Sequence, residues 1–285
     1  MEVIMEYPIK IDLKDKVAVV TGAGGILCSC LAEALAKVGA KTALLDLNED
    51  AAKQAAEQIM AQGFIAKGYA CNVLEKDSLE TAHQQILSDF GKCDLLINGA
   101  GGNHPAATTE NEFHHPEDLG QKKTFFDLEP SGIKFVFDLN YMGTLLPTQV
   151  FAQDMLGKEG CSIINISSMN SFTPLTKIPA YSGAKAAVSN LTQWLAVHFS
   201  KVGIRCNALA PGFFVTKQNE KLLYQEDKTP TKRTEKILRN TPMDRFGTSE
   251  ELIGTLLYLV EPSLSGFVNG VVIPIDGGFS AYSGV

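Results

Sequence analysis

The chain has 285 residues, 45% of them hydrophobic and 20% charged, with a formal net charge of −7. That is the composition of a globular protein with a sizeable core, and the acidic balance argues against a nucleic-acid-binding surface. No apolar run reaches the ~18 residues of a membrane span, and residues 1–16 lack the basic-then-apolar order of a signal peptide, so the expected location is cytoplasmic.

Residues 16–22 are a continuous apolar run that meets a turn, the pattern of a strand buried on both faces. After the glycines at 22, 24 and 25, Leu31, Ala34, Leu35 and Val38 mark a helix that Gly39 can stop. Residues 41–46 are the next strand, which makes a βαβ unit with a glycine turn at its first junction. Backbone N–H groups at such a turn, with the helix N-terminus behind them, can hold a pyrophosphate. Asp46 ends the second strand, where a carboxylate can accept from ribose hydroxyls and repel a 2′-phosphate; this favours NAD over NADP. Its bland alternative is a turn residue before Asn48.

Residues 49–62 predict a second helix, 68–73 a third strand, 75–90 a third helix and 92–102 a fourth strand. This alternation predicts an α/β fold, a doubly wound parallel sheet of the Rossmann type in a single domain. Residues 103–134 break the rhythm as a polar insertion that holds His104, His114 and His115; loops of that length are usually functional or mobile. A helix restarts at 135 and runs through Pro147, which is expected to bend or divide it. Residues 203–216 predict a strand, 217–241 a basic flap, 250–260 a last helix and 270–278 a final strand. Trp194 shares a helix face with Leu191 and Leu195 and is expected in the core or at a subunit contact.

Six cysteines lie at 28, 30, 71, 93, 161 and 206. There is no CxxC pair or His/Cys ligand cluster, so reduced, mostly buried thiols and no metal site are expected.

The central stretch runs from Cys161 to Asn190. It starts as a strand with Ile163, Ile164 and Ile166, turns at Pro174 and Pro179, and ends as a helix. Tyr181 and Lys185 are four apart and share a helix face. A free phenol has a pKa of about 10; a nearby ammonium favours the phenolate and is expected to lower that value. The hydroxyl can then exchange a proton with an alcohol or ketone while a serine fixes the same oxygen.

With these motifs in order, the chain resembles the classical short-chain dehydrogenases/reductases over nearly its whole length. Thr21-Gly22-Ala23-Gly24-Gly25 resembles the family's cofactor turn, and Asn98-Gly99-Ala100-Gly101 its Asn-Asn-Ala-Gly. Asn140 lies 28 residues before Ser168, and Ser168 lies 13 before Tyr181, which are the family's catalytic spacings and select Ser168 over Ser167. The resemblance implies that Tyr181 is the general acid or base and that Lys185 lowers its pKa and holds the nicotinamide ribose. Ser168 would orient the substrate oxygen and Asn140 hold a water leading to Lys185. It implies cofactor contacts from Gly22, Gly24, Gly25, Ile26, Asp46, Asn72, Val73, Asn98, Ala100, Gly101, Tyr181 and Lys185. It adds the segment with Pro211, Gly212, Phe214 and Thr216, which would cover the nicotinamide. Asn103, His104 and Lys217 join Ser168 and Tyr181 as candidate substrate contacts.

Three departures stand out. Ile26 and Cys28 occupy positions where the family turn has glycines, Asn72 replaces the usual Asp, and the insertion lengthens the path from Asn98 to Asn140. They point to the short-chain-type fructuronate reductases, which interconvert D-fructuronate and D-mannonate; gluconate 5-dehydrogenase-like enzymes are the nearest alternative. A non-catalytic dinucleotide sensor is the rival of a different class. The resemblance also implies a homotetramer. A sugar acid needs a cation for its carboxylate, and Lys217, Lys221, Arg233 and Arg239 are the flap candidates. For His104, a substrate hydrogen bond and plain loop packing both stand open; His114 and His115 read as surface residues.

Overall fold

In β1 (Val17–Thr21) every residue is buried, and alternate side chains go to opposite sides. Ala18 and Val20 join one core cluster, Val17 and Val19 the other. This period of two is why the run has no polar face. The computed structural model describes residues 10–215, 223–225, 227 and 229–284. β1 is followed by α1 (Ile26–Lys37), β2 (Lys41–Asp46), α2 (Glu49–Met60), β3 (Ala66–Ala70), α3 (Lys76–Asp89) and β4 (Leu95–Asn98). Then come α4 (Pro130–Phe137), α5 (Gly143–Met155), β5 (Ser162–Ile166), α6 (Pro179–His198), β6 (Arg205–Pro211), α7 (Lys232–Arg239), α8 (Ile253–Val260), the short α9 (Pro262–Ser265) and β7 (Val272–Ile275).

The strands form one seven-stranded sheet in the order β3-β2-β1-β4-β5-β6-β7, and every pairing is parallel. One face packs Leu31 and Leu35 of α1, Ile59 of α2, and Leu256 and Leu259 of α8. The other packs Leu79 and Ile86 of α3, Phe151 and Met155 of α5, and Leu191 and Leu195 of α6. The chain is a single α/β domain, doubly wound. Among the described residues no helix is long and apolar enough to cross a membrane.

Several boundaries differ from the sequence expectation. β3 spans 66–70 rather than 68–73, because Asn72 Oδ1 accepts the Leu74 N–H at 3.1 Å and turns the chain. The insertion is ordered as 3₁₀ turns at Pro105–Ala107, Pro116–Asp118 and Phe125–Asp127, and α4 already starts at Pro130. Its anchor is Asp118, 2% exposed. That carboxylate takes Lys122 at 2.7 Å, Asn111 at 2.6 Å and the His115 N–H at 3.1 Å. Pro147 does not divide the following helix but is buried inside α5. The irregularity is a π-helical turn at Asp138–Met142. Trp194 is 56% exposed and stacks on His198 with ring centroids 4.5 Å apart, so the core reading is wrong for this residue. All six cysteines are free, and five are buried.

α2 sits on β3 through Gly68, where an added Cβ would lie 2.5 Å from the backbone N of Lys53. Gly68→Ala should push the helix off the sheet and lower the unfolding free energy by about 2 kcal/mol, measured by urea denaturation.

Candidate active site

The winding of the sheet reverses between β1 and β4, and their C-terminal ends open a crevice. Gly22 has φ +67, and a Cβ there would stand 2.9 Å from the backbone N and Cα of Ala100. Thr21 Oγ1 accepts the N–H groups of Gly99 at 3.0 Å and Ala100 at 3.3 Å, which pins the two strand ends together. α1 starts at Ile26, with Gly25 as N-cap, no side-chain cap and no acidic residue in its first turn. Its positive end is therefore not met by an anionic side chain of that turn. Asp46 Oδ2 accepts from Gly24 N at 2.9 Å and Oδ1 from Asn48 N at 2.9 Å. The carboxylate thus fixes the glycine turn and the β2–α2 turn at once. Backbone donors beside a carboxylate at the end of β2 fit a dinucleotide.

The remaining expected cofactor residues divide by orientation. Asn72 Nδ2 is given to Glu75 at 2.8 Å, and Val73 is buried, with a methyl 3.1 Å from where a Gly143 Cβ would stand. Asn98 is 1% exposed, and its Nδ2 donates to Thr148 Oγ1 and Asn165 Oδ1, each at 2.9 Å. Gly212 crosses Asp276 with no room for a Cβ and gives its N–H to Ile275 O at 2.9 Å. Pro211 closes β6. Phe214 turns its ring into the core over Gly247. Thr216, Lys217 and Lys221 lie outside the described residues.

In front of the crevice stand Ser168, Tyr181, Lys185 and Asn140. Ser168 is 7% exposed, and its hydroxyl lies close enough to the Tyr181 phenol to favour the ionised form. Ser167 is turned the other way, donating to Lys185 O at 3.2 Å and meeting Ser189 Oγ at 2.7 Å. Lys185 Nζ is 5.7 Å from the Tyr181 ring centroid and donates to Ile166 O at 2.7 Å. Burial pushes the Tyr181 phenol above its ordinary value, and the Ser168 hydrogen bond opposes this. Burial also pulls Lys185 down to about 8. Where the sequence suggested a phenol lowered by Lys185, burial raises it and Ser168 is the group that lowers it. The buried Cys28 thiol, pushed up to about 12, is neutral near pH 7 and gives Lys185 no counter-charge.

Asn140 lies in the π turn, wholly buried. Its Nδ2 donates to Gly102 O and Val136 O, each at 2.7 Å, and its Oδ1 accepts from Gly102 N at 3.3 Å. Gly101 fits between Asn140 and Lys185: a Cβ would stand 2.7 Å from Asn140 Oδ1 and 3.0 Å from Lys185 Nζ. Behind the site runs a buried polar chain. Thr144 Oγ1 donates to Asn140 O, Thr148 Oγ1 to Thr144 O, and Asn98 Nδ2 to both Thr148 Oγ1 and Asn165 Oδ1; Asn165 Nδ2 donates to Thr192 Oγ1. It ties the helix after Asn140 to the helix of Lys185 through the ends of β4 and β5.

On the substrate side, Asn103 is exposed and donates to Thr108 Oγ1 at 2.9 Å. His104 Nδ1 accepts the Ala106 N–H at 3.1 Å, and the ring lies 5.2 Å from Phe135. A neutral His104 thus carries its proton on Nε2 and can only donate from there. His114 packs edge-on to Phe126 at 5.5 Å.

Residues 16–227 match the family model for short chain dehydrogenase. The chain belongs to the short-chain dehydrogenase family. An uncharacterized oxidoreductase of Haemophilus influenzae is 62% identical over 285 residues, all of both chains. A crystal structure from Haemophilus influenzae, solved with bound NAD and provisionally named a D-mannonate oxidoreductase, superposes with TM-score 0.93 at 64% identity, covering 96% of this chain and 98% of that one. Gluconate 5-dehydrogenase of Gluconobacter oxydans is 31% identical over 276 residues, 97% of this chain and 99% of its own.

Two positions that differ from the pattern the resemblance implies meet in space. A Cβ on Gly99 would stand 2.1 Å from Cys28 Sγ. Cys28 stands where the family turn has a glycine, and Gly99 stands where the family has an asparagine. Cys28 Sγ therefore fills the space that a side chain at position 99 would need. Only contact distances link the two positions. Gly99→Ala should weaken NADH binding about tenfold or more by displacing the 98–101 turn. Cys28→Ala in the same chain should recover part of that loss, since the next Cys28 atom lies at 3.5 Å while Thr21 O stays close at 2.8 Å. Fluorescence titration with NADH reads both.

Proposed function

We propose that this short-chain dehydrogenase interconverts D-fructuronate and D-mannonate with NAD(H). The observation that carries the reading is the convergence of Ser168, Tyr181, Lys185 and Asn140 at the mouth of a crevice built for a dinucleotide. NAD(H), when bound, supplies the ring that accepts or donates hydride. Tyr181 is the proton donor to the carbonyl oxygen in reduction and the acceptor from the hydroxyl in oxidation. Its raised pKa keeps it protonated at neutral pH, the form that reduction needs. Ser168 holds the substrate oxygen against the phenol, and Lys185 supplies positive charge behind it. Asn140 fixes Gly102 in the loop after β4 and, with Gly101, the space next to Lys185.

The 2′-hydroxyl rather than a 2′-phosphate is supported by the carboxylate of Asp46, which would repel a second anion. The substrate rests on similarity to the provisionally named D-mannonate oxidoreductase. A gluconate 5-dehydrogenase-like activity is the second reading, supported at 31% identity. A homotetramer is supported by Trp194 and Val197 on α6, which are 56% and 77% exposed and would be covered by a second subunit. Six free thiols fit a cytoplasmic enzyme.

NADH oxidation should be rapid with D-fructuronate and slow with 5-ketogluconate or NADPH, read at the NADH absorbance; the reverse preference moves the enzyme to the gluconate branch. Tyr181→Phe should lose roughly a thousandfold in turnover and keep NADH affinity, whereas a cofactor sensor would lose neither binding nor response. The pH profile of oxidation gives a further check. Oxidation needs the phenolate, so its rate rises with pH. Ser168→Ala removes the interaction that lowers the Tyr181 value and should move that rising limb to higher pH.

A further inference from the structure

A buried polar atom with no partner in the protein needs an explanation, and a ligand is one. Among the described residues, Thr42, Ser162 and Arg205 carry such atoms near the starts of β2, β5 and β6, at the edge of the sheet opposite the crevice. Asn170 Oδ1 is another, and it belongs to the catalytic end. Asn170 is 4% exposed and lies in the 3₁₀ turn Met169–Ser171, which Ser168 caps. Its N–H donates to Ser168 Oγ at 3.2 Å, the hydroxyl that also meets the Tyr181 phenol. The turn around it is closed by further bonds. Ser168 O accepts the Ser171 N–H at 2.9 Å and the Ser171 hydroxyl at 2.7 Å, and the Phe172 N–H donates to Met169 O at 2.9 Å. The backbone of Asn170 is thus fixed against the catalytic serine, while its amide oxygen is buried without a donor. The flap cations Arg233 and Arg239, by contrast, are exposed on α7.

We propose that Asn170 Oδ1 accepts a substrate hydroxyl on the carbon next to the reacting carbonyl, and so selects hydroxylated ketones over plain ones. The proposal rests on the reading above in which Ser168 holds the substrate oxygen, and it names the residue that reads the neighbouring carbon. An amide oxygen only accepts, so its partner must bring an O–H or N–H. A buried acceptor without a donor destabilises the free protein, and an apolar side chain of the same shape would avoid that cost. A ligand that donates to it removes the cost on binding. D-fructuronate and 5-ketogluconate both carry hydroxyls on the carbons flanking the ketone, so Asn170 serves either substrate reading. The other donor that would enter the crevice is the nicotinamide carboxamide, and the test separates the two.

The test is steady-state kinetics of the full-length enzyme with NADH. Substrates are D-fructuronate, or the sugar ketone that wild type turns over fastest, and a keto acid of similar length without hydroxyls, read as turnover or as competitive inhibition. Asn170→Leu should raise KM for the sugar ketone about tenfold or more, with kcat changed less than about threefold. The hydroxyl-free acid should bind as it does to wild type, and so should NADH, measured by fluorescence; Asn170→Ala serves where the leucine variant fails to fold. Unchanged KM for the sugar ketone overturns the proposal, and so does an equal loss for the hydroxyl-free acid. A matching loss of NADH affinity assigns the oxygen to the nicotinamide carboxamide and overturns it too. A wild type that prefers 5-ketogluconate sinks the D-fructuronate reading and leaves this proposal standing. A wild type that turns over no hydroxylated ketone overturns both.

Discussion

The site depends on the absence of side chains where the sheet reverses its winding. At Gly22, Gly99 and Gly101 a single Cβ would collide with Ala100, with Cys28, and with both Asn140 and Lys185. Only because these atoms are missing do β1 and β4 approach closely enough for Thr21 to hold both Gly99 and Ala100. That approach brings the glycine turn within reach of the catalytic side. Gly101 is the junction: one side of it faces the backbone crevice, and the other faces the ammonium and amide of the two catalytic helices. Glycine here is required for close packing more than for an unusual φ, since only Gly22 of the three has positive φ.

The electrostatics follow from the same packing. Lys185 is 4% exposed and donates to the Ile166 carbonyl with a neutral thiol nearby, and burial pulls its pKa down to about 8. The folded value lies below the ordinary one of the unfolded chain. Burial of the charged ammonium therefore opposes folding below pH 8, and the penalty fades as pH rises from about 8 toward the ordinary lysine range. A protein that selected only for stability would place an apolar residue there. In the proposed reaction the retained charge, the half-buried phenol and the Ser168 hydroxyl would together exchange the proton, starting from the acid form.

Much of this was legible in the sequence, for a definite reason. The strands are buried on both faces and the helices on one, so the hydrophobic periods are clean and the alternation of elements sets the topology. Tyr181, Lys185, Ser168 and Asn140 could be picked out because fixed spacings place them on one helix face, one strand end and one helix turn. What was not legible depends on side-chain direction. The Phe214 ring packs over Gly247 and the Asn98 amide on Thr148 and Asn165, Trp194 lies on an apolar-looking face yet is exposed, and Asn72 ends its strand early through its own amide. The π turn at Asp138–Met142 leaves no periodic signature, because one wider turn merges into the helices on either side.

The insertion shows how an irregular segment can be ordered without a hydrophobic run to announce it. Its polarity suggested a loop, and its polar residues are what hold it. Asp118 gathers Lys122, Asn111 and the His115 N–H, and Thr124 and Asp127 cap each other. The Glu129 N–H closes on Ala106 O at 3.1 Å. Buried carboxylates with several donors are satisfied and fix geometry more sharply than apolar contacts do. The segment therefore arrives with a defined direction at Glu112, which is ion-paired with Lys236 of α7. A segment set by hydrogen bonds and ion pairs can be reshaped one partner at a time, while the junction at Gly22, Gly99 and Gly101 has no room for a single added Cβ.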